Sequence, residues 1–121
     1  MADREFELTI LGATGFTGAH VLRNAVLWQN IDNKSRRIAV AGRIKDKLVR
    51  LVEDTEARLE RNLDHIGTIV VDANDEDSLV SMCRRSKVIL NTLGPYIEYG
   101  ESVVKACIKV SARFILSSNG F

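Results

Sequence analysis

The sequence predicts an α/β domain in which helices cover both faces of one doubly wound parallel sheet, a three-layer α/β/α architecture with strand order 3-2-1-4-5. Two observations and one geometric rule predict this class. Short apolar, β-branched runs alternate with longer segments of helical periodicity along the chain. The first two of these runs each end in a glycine. Parallel strands joined by helices need right-handed crossovers, which place the helices on both faces of the sheet.

The first element is the stretch Phe6–Gly18, FELTILGATGFTG, which is typical of a buried strand, a tight turn and a first helical turn. Gly12 permits the sharp turn, Gly15 lets a pyrophosphate approach the backbone, and Gly18 allows the helix to pack closely on the strand. The N–H groups of the first helical turn then form an anion site. The G-x-x-G-x-x-G spacing is one residue longer than the commonest dinucleotide fingerprint, and a glycine turn that binds nothing is the alternative.

The residues between these glycines belong to the same candidate cofactor site. They are Thr14, Phe16 and Thr17. A threonine hydroxyl at this place suits a hydrogen bond to a phosphate oxygen, and it suits an N-cap of the helix equally well.

The other elements follow in alternation, with the first helix continuing from Gly18 to about Gln29. The later strands are predicted at Arg37–Ala41, Thr68–Val71, Val88–Leu90 and Phe114–Leu116. The later helices are predicted from about Lys45 to Asp64, from Asp75 to Lys87, and from about Gly100 to Val110. The apolar stripes expected to face the sheet are Val21, Leu22, Ala25 and Trp28 in the first helix, Leu48, Leu51, Val52, Leu59 and Leu63 in the second, and Val103, Val104, Cys107 and Ile108 in the last.

Length and composition restrict the class of protein. We expect one domain, residues 1–121, because 121 residues suit a single core and are few for a complete two-domain oxidoreductase. The net charge of +1 gives no reason to expect a nucleic-acid partner. Cys83 and Cys107 have no metal or redox spacing, and two isolated cysteines suit a reducing compartment. With no signal peptide and no transmembrane segment in the sequence, we expect a cytoplasmic protein.

The end of the second strand decides which cofactor is favoured. In such a sheet, ligands bind beyond the carboxyl ends of the strands, at the switch point between strands one and four. The second strand ends in Gly42-Arg43, with Lys45 and Lys47 nearby and no acid before Asp46. An arginine suits the 2′-phosphate of NADP, whereas a carboxylate would hold the ribose hydroxyl of NAD. The sequence therefore favours NADP over NAD, with a solvated arginine at a helix start as the alternative.

Two further strand ends carry candidate cofactor contacts. Asp72, after strand three, suits a hydrogen bond from the adenine amino group, and it suits a turn or a helix cap about as well. The loop after strand four would face the nicotinamide half of the cofactor with Asn91, Thr92, Gly94, Pro95 and Tyr96. The alternative for this loop is a plain connection between a strand and a helix.

No catalytic acid or base can be assigned from the sequence. His20 and His65 are expected to be inert, and no residues have metal-ligand spacing or a Ser/His/Asp arrangement. Tyr96 and Tyr99 each lack a lysine four residues on, so the Tyr-x-x-x-Lys pair of short-chain dehydrogenases is missing.

From Phe6 to about Ile115 the chain resembles the N-terminal NAD(P)-binding Rossmann domain of saccharopine dehydrogenase-like oxidoreductases. The resemblance rests on LGATGFTG at Leu11–Gly18, AVAGR at Ala39–Arg43, VILNTLGPY at Val88–Tyr96 and YGESVVKACI at Tyr99–Ile108. It implies NAD(P)-dependent oxidoreductase ancestry and carries the cofactor role onto the three glycines, Arg43 and the loop Asn91–Tyr96. For the full-length family it also implies association with lipid droplets or other membranes, and a homodimer.

Similar proteins continue past strand five into an Asp-x-x-Gly-Glu-like stretch and a long catalytic domain, whereas Leu116–Phe121 here lacks both acids. We therefore expect a truncated chain: an NADP-binding domain without its catalytic and substrate domain, with hydride transfer only when that domain is supplied. The alternative is a non-catalytic interaction or regulatory module, or a truncated isoform, that keeps the fold without cofactor chemistry. A fragment of a short-chain dehydrogenase or epimerase is disfavoured by the missing Tyr/Lys pair.

Overall fold

The computed structural model describes residues 4–12, 16–29, 36–72, 74–92, 97–110 and 112–116, with the backbone alone for residues 16–17, 97–102 and 114–116. Strands and helices alternate along these residues. The strands are β1 Phe6–Leu11, β2 Ile38–Gly42, β3 Gly67–Val70, β4 Ser86–Asn91 and β5 Arg113–Leu116. The helices are α1 Phe16–Trp28, α2 Lys45–Leu59, α3 Glu76–Arg85 and α4 Ile97–Val110.

The five strands form one parallel sheet in the order β3-β2-β1-β4-β5, as the sequence predicts. Leu11 at the end of β1 lies opposite Ala41 of β2 and Asn91 of β4. Asn91 in turn lies opposite Leu116 of β5. The carboxyl ends of these strands therefore meet at one edge of the sheet, and the topological switch point lies there between β1 and β4.

Each face of the sheet carries its own apolar cluster, because successive strand residues point to opposite faces. One cluster joins α1 and α2 to the sheet and includes Ile10, Leu22, Val26, Val40 and Leu48. The other joins α3 and α4 to the sheet and includes Leu11, Ala41, Leu79, Met82 and Val103. Neighbouring residues of β1 and β2 fall in different clusters, so the helix pairs lie on opposite faces. The predicted three-layer α/β/α class is confirmed.

An apolar groove of about 440 Å³ runs between α1 and β4 on the α1 face of the sheet. Its lining includes Val21, Ala25 and Trp28 from α1 and Val88 and Leu90 from β4. Trp28 was expected to face the sheet, but 39% of its surface is exposed, and the Arg36 guanidinium lies 4.3 Å from the centroid of its ring. This arrangement leaves the α1-facing side of β4 half-buried.

The second helix is shorter than predicted. α2 ends at Leu59 rather than near Asp64, because Glu60 adopts a left-handed backbone conformation with φ 53° and its N–H donates to the Glu56 carbonyl. Leu63 is therefore not part of the helical stripe. Its side chain is nevertheless buried. The loop is held against α2, because the Leu63 backbone N–H donates to the Glu56 carboxylate (Oε2, 2.7 Å).

The boundary between α3 and β4 also differs from the prediction. Lys87 was expected in the helix, but the strand already begins at Ser86 and Lys87 lies in it, exposed. The Ser86 hydroxyl donates to the Met82 carbonyl (2.8 Å) and lies 2.6 Å from the Thr9 hydroxyl of β1. These contacts end the helix and start the strand in one residue.

The last helix was predicted to start near Gly100 and to bury Ile108, and both predictions are wrong. α4 begins at Ile97, and the side chain of Ile108 is 72% exposed. Val103, Ala106 and Cys107 are buried instead, because they share one face at helical spacing while Ile108 lies about 100° further round.

Cys83 and Cys107 are not isolated. Their Sγ atoms lie 3.4 Å apart where α3 packs against α4, and both side chains are buried. The sequence spacing gave no sign of this contact, because it depends on how two separate helices pack.

Candidate functional site

The turn after β1 is held from both neighbouring strands at the switch point. Gly12 has φ 79°, a conformation that glycine adopts without a steric penalty, and its N–H donates to the Ala41 carbonyl (2.9 Å). On the other side, Thr92 donates to the Leu11 carbonyl through both its backbone N–H (2.9 Å) and its hydroxyl (2.7 Å). The chain therefore makes its sharp turn in a fixed place between β2 and β4.

The first helix begins shortly after that turn, at Phe16. The first turn of α1 contains no acidic residue, so the positive end of its dipole is not offset by a carboxylate of its own. Gly18 is buried in this turn. Free N–H groups at the start of a helix bind phosphates and other anions, so this corner of the edge has the chemistry of an anion site.

Three cationic side chains follow the end of β2. Arg43, Lys45 and Lys47 are all exposed, and Asp46 is the first acid in this stretch. Gly42 is buried just before them, and a Cβ at this position would meet Leu48 Cδ2 at 3.3 Å. The end of β2 thus presents positive charge on the strand that pairs with β1, which precedes α1 in the chain.

Ile44 is a residue at this edge that sequence reasoning missed. It occupies the N-cap position of α2 in an extended conformation, makes no side-chain capping bond, and is 49% exposed. Polar side chains are strongly preferred at an N-cap, so an exposed isoleucine there breaks a local rule. The available signal was its position between Arg43 and Lys45, outside the apolar stripe of α2.

Asp72 lies exposed just after β3, within a turn. Its Oδ1 accepts a hydrogen bond from the Asn74 backbone N–H (2.9 Å), and its backbone N–H donates to the Ser78 hydroxyl (3.0 Å). The turn role that the sequence left open is therefore observed, while the contact to adenine stays a prediction.

Asn91 ends β4 directly beside the switch point and is 2% exposed. Its backbone pairs with Leu11 on one side and Leu116 on the other, which places it next to the turn at Gly12. An amide buried at this place is oriented by its surroundings, as a residue that positions a ligand must be.

The structure thus brings Gly12, Gly18, Arg43, Asp72 and Asn91 to the carboxyl edge of one sheet. The other predicted cofactor residues lie outside the described residues or lie in the part of α1 whose side chains are not described. The first group consists of Thr14, Gly15, Gly94, Pro95 and Tyr96, and the second of Phe16 and Thr17.

The described residues offer neither a metal centre nor a membrane span. In the described ranges, no three His, Cys, Asp or Glu side chains are grouped so as to hold a metal ion. No helix in the same ranges has the length and apolarity needed to cross a bilayer. His20 is exposed, and His65 Nε2 lies 3.0 Å from Gln29 Oε1, a contact that ties the loop before β3 to the end of α1.

A parallel sheet of this order, with a glycine turn and a helix N-terminus at its switch point, defines a dinucleotide-binding domain of the Rossmann class. Within that class the family can be stated. Residues 8–119 match the model of the saccharopine dehydrogenase NADP-binding domain, and the chain belongs to this family. The predicted family and the predicted cofactor, NADP, are confirmed.

Curated relatives agree with this assignment. A saccharopine dehydrogenase-like oxidoreductase from Mus musculus is 41% identical over 111 residues, which cover 88% of this chain and 26% of the mouse protein. A lipid droplet localized protein from Caenorhabditis elegans is 36% identical over 110 residues, covering 91% of this chain and 25% of the nematode protein. The chain therefore spans about a quarter of the length of these relatives.

Solved structures share the fold. Apo saccharopine dehydrogenase (L-Glu forming) from Saccharomyces cerevisiae superimposes with a TM-score of 0.68 over 93% of this chain and 22% of the yeast chain. The two sequences are 20% identical, so this likeness supports the fold and carries no residue roles.

Proposed function

We propose that this chain holds NADP along the carboxyl edge of its sheet, with the diphosphate at the start of α1 and the 2′-phosphate at Arg43. The observation that carries the proposal is the positive φ of Gly12 at the switch point, four residues before the start of a helix whose first turn has no acidic residue. A diphosphate carries negative charge, and the backbone N–H groups of a helix start bind such charge without any side chain. The residues present therefore fit the group that the family binds.

The remaining assignments follow the length of the dinucleotide along this edge. We assign to the diphosphate Gly12, Thr14, Gly15, Phe16, Thr17 and Gly18. We assign to the nicotinamide half Asn91, Gly94, Pro95 and Tyr96. Asp72 and Ile44 are assigned to the adenine, because the carboxylate suits its amino group and the exposed isoleucine offers an apolar surface for its ring.

Arg43 is assigned the selectivity for the 2′-phosphate. It is exposed, and within the described ranges no carboxylate pairs with it. Lys45 and Lys47 add positive charge on the same turn, while a carboxylate in this place would repel a phosphate. The guanidinium therefore favours NADP over NAD by a charge-assisted bond that NAD has no group to make.

We propose further that the domain serves a hydride transfer in a longer oxidoreductase. NADPH supplies a hydride when it is bound, and the contribution of this chain is to bind it and to orient the nicotinamide beside Asn91. The substrate contacts and the exclusion of water come from the remaining three quarters of such a protein. This division is supported by the length of the relatives, of which the chain spans about a quarter.

The test is a fluorescence titration of the chain with NADPH and with NADH, using wild type, Arg43→Ala and the control Arg58→Ala, which removes an exposed arginine from the last turn of α2. We expect wild type to prefer NADPH. Arg43→Ala should weaken NADPH binding by about tenfold or more and leave NADH unchanged, since one charge-assisted bond is worth about 1.5–3 kcal/mol. Absence of NADPH binding at millimolar concentration, or an equal loss for both cofactors, contradicts the proposal.

A second candidate function is that of an interaction module, which the groove between α1 and β4 favours. The groove is lined largely by apolar side chains. Leu27, the neighbour of the lining residue Trp28 in α1, is 50% exposed. We propose that a second copy of the chain covers this surface as a homodimer. Buried apolar area is the usual source of stability in such contacts.

We also propose a cytoplasmic protein that associates with lipid droplets. The support is the name of the nematode relative, a lipid droplet localized protein. A fluorescent fusion imaged with a neutral-lipid stain tests this location, and an even cytoplasmic signal with no enrichment on droplets would rule it out.

A further inference from the structure

Two free thiols meet in the middle of the helix pair that covers one face of the sheet. Cys83 of α3 and Cys107 of α4 have their Sγ atoms 3.4 Å apart. Both side chains are buried, with 0% and 1% of their surface exposed, and they belong to one apolar cluster that includes Val103 and Met82. The packing of the two helices therefore holds a pair of oxidisable groups in direct contact.

We propose that Cys83 and Cys107 are a redox-active dithiol that forms a reversible disulfide and cross-links α3 to α4. The sulfur atoms have to approach from 3.4 Å to about 2.05 Å, a movement that side-chain rotation provides in part. The oxidant is a small-molecule disulfide such as oxidised glutathione. One cysteine attacks it and releases a first glutathione thiol, and the other cysteine attacks the resulting mixed disulfide and releases a second. Two protein thiols become one disulfide while one glutathione disulfide becomes two thiols.

The surroundings of the pair favour a thiolate on one of the two sulfurs. The hydrogen bond between the sulfurs, in which either atom can be the donor, favours a thiolate on one sulfur while the other sulfur keeps the shared proton. The Arg4 guanidinium also favours negative charge here, and it donates to the carbonyls of Cys83 (2.7 Å) and Val110. The cysteine that accepts this hydrogen bond is the attacking thiolate, because thiolates and not thiols are the nucleophiles.

Burial makes this exchange slow, so its equilibrium is the quantity to measure. A reagent reaches the sulfurs through local opening of the helix pair. The cross-link closes a loop between residues 24 positions apart, and this loop contains β4 and the candidate nicotinamide loop. A native disulfide typically stabilises the folded chain. By linkage, the same free energy makes the equilibrium constant for disulfide formation roughly 30- to 700-fold larger in the folded chain than in the unfolded chain.

The test is to equilibrate the chain with glutathione redox buffers, once in native buffer and once in concentrated guanidinium chloride. After acid quenching, the fraction of chains that have lost two hydrogen atoms is read by intact mass, and a peptide digest identifies the linked cysteines. We expect the Cys83–Cys107 disulfide to form within single chains, to be reversed by dithiothreitol, and to be at least tenfold more favoured in native buffer. An equal or lower equilibrium constant in native buffer, or links between chains, would overturn the proposal.

The single variants Cys83→Ser and Cys107→Ser are the controls. Each retains one thiol, so neither can lose two hydrogen atoms within one chain, and each should end as a reduced chain or as a mixed disulfide with glutathione. Loss of two hydrogen atoms in either variant counts against the assignment of the pair. Should a variant fail to fold, the wild-type ratio between native and denaturing buffer still decides the question.

Discussion

At the residue scale, one position at the carboxyl edge departs from the usual local preference. Ile44 holds the N-cap of α2 without a capping bond and is half exposed, although serine, threonine, aspartate or asparagine would stabilise the helix there. Sequences depart from local preference chiefly at functional or strained sites. In the sequence, the position of Ile44 between Arg43 and Lys45, outside the apolar stripe of α2, was a weak signal, because a single apolar residue has no periodic partner.

We predict that Ile44→Ser changes stability and cofactor binding in opposite directions. The serine hydroxyl caps α2 and should raise the free energy of unfolding by about 1 kcal/mol. NADPH binding should weaken by roughly fivefold, because about 1 kcal/mol of apolar contact with the adenine is lost. Urea unfolding and the NADPH titration measure the two effects.

The matched control is Val49→Ser, which removes another exposed apolar side chain from α2, with 40% of its surface exposed. It should leave NADPH affinity as in wild type. If Ile44→Ser leaves NADPH affinity unchanged as well, the adenine assignment is wrong.

The close contact between Gly67 and Phe6 could not be predicted from the sequence, because it joins two distant segments. A Cβ on Gly67 would come within 2.4 Å of the Phe6 ring, so glycine is needed where β3 begins. The residues next to Phe6 and Gly67 in the sequence do not indicate that the two will meet. Close approaches between distant segments follow from packing and have no local signature.

At the scale of elements, helical and strand periodicity predicted each strand and helix, and contacts of individual residues set the ends. α2 ends where Glu60 adopts a left-handed backbone conformation and the Glu56 carboxylate accepts a hydrogen bond from the Leu63 N–H. β4 starts where Ser86 reaches Thr9 of a neighbouring strand. Each of these contacts joins residues of different segments, Glu56 of α2 to Leu63 of the following loop and Ser86 of β4 to Thr9 of β1, so the periodicity of one segment could not predict them.

The first two strands are joined at their start by an ion pair that should make stability depend on pH. Glu7 accepts the Arg37 backbone N–H (Oε2, 2.7 Å) and its guanidinium (Oε1, 3.2 Å). Burial raises the pKa of Glu7, but the side-chain and backbone hydrogen bonds from Arg37 together hold that pKa below its ordinary value. A carboxyl whose pKa is lower in the folded chain stabilises the fold above its unfolded pKa of about 4.3, and this stabilisation is lost as the pH falls through the folded pKa.

We predict that Glu7→Gln lowers the free energy of unfolding at pH 7 by about 0.5–1 kcal/mol, the upper part of the range for a partly exposed ion pair. The difference from wild type should shrink as the pH falls from about 4.3 through the lowered folded pKa of Glu7, since wild type then loses the charge too. Urea unfolding between pH 3 and 7 measures this, with Glu53→Gln, an exposed carboxylate of α2, as the control. A difference that stays constant with pH contradicts the ion-pair explanation.

At the scale of the whole molecule, the alternation of strands and helices was enough to predict the layers and the strand order, because right-handed crossovers leave few ways to arrange them. The strand order likewise predicted that Gly12, Arg43, Asp72 and Asn91 lie at the carboxyl edge of the sheet. It could not place Cys83 against Cys107, since the relative position of α3 and α4 depends on how their side chains interdigitate.

The groove between α1 and β4 has a thermodynamic consequence. If two copies cover each other there, folding and association are linked, and mass action makes the melting temperature depend on protein concentration. We predict that the melting temperature rises when the concentration is increased a hundredfold, a change that corresponds to roughly 2.7 kcal/mol per dimer. The substitution Val21→Glu, within the groove, should flatten this dependence. A wild-type melting temperature that does not change over that range would mean that the apolar surface beside α1 stays open to water in the isolated chain.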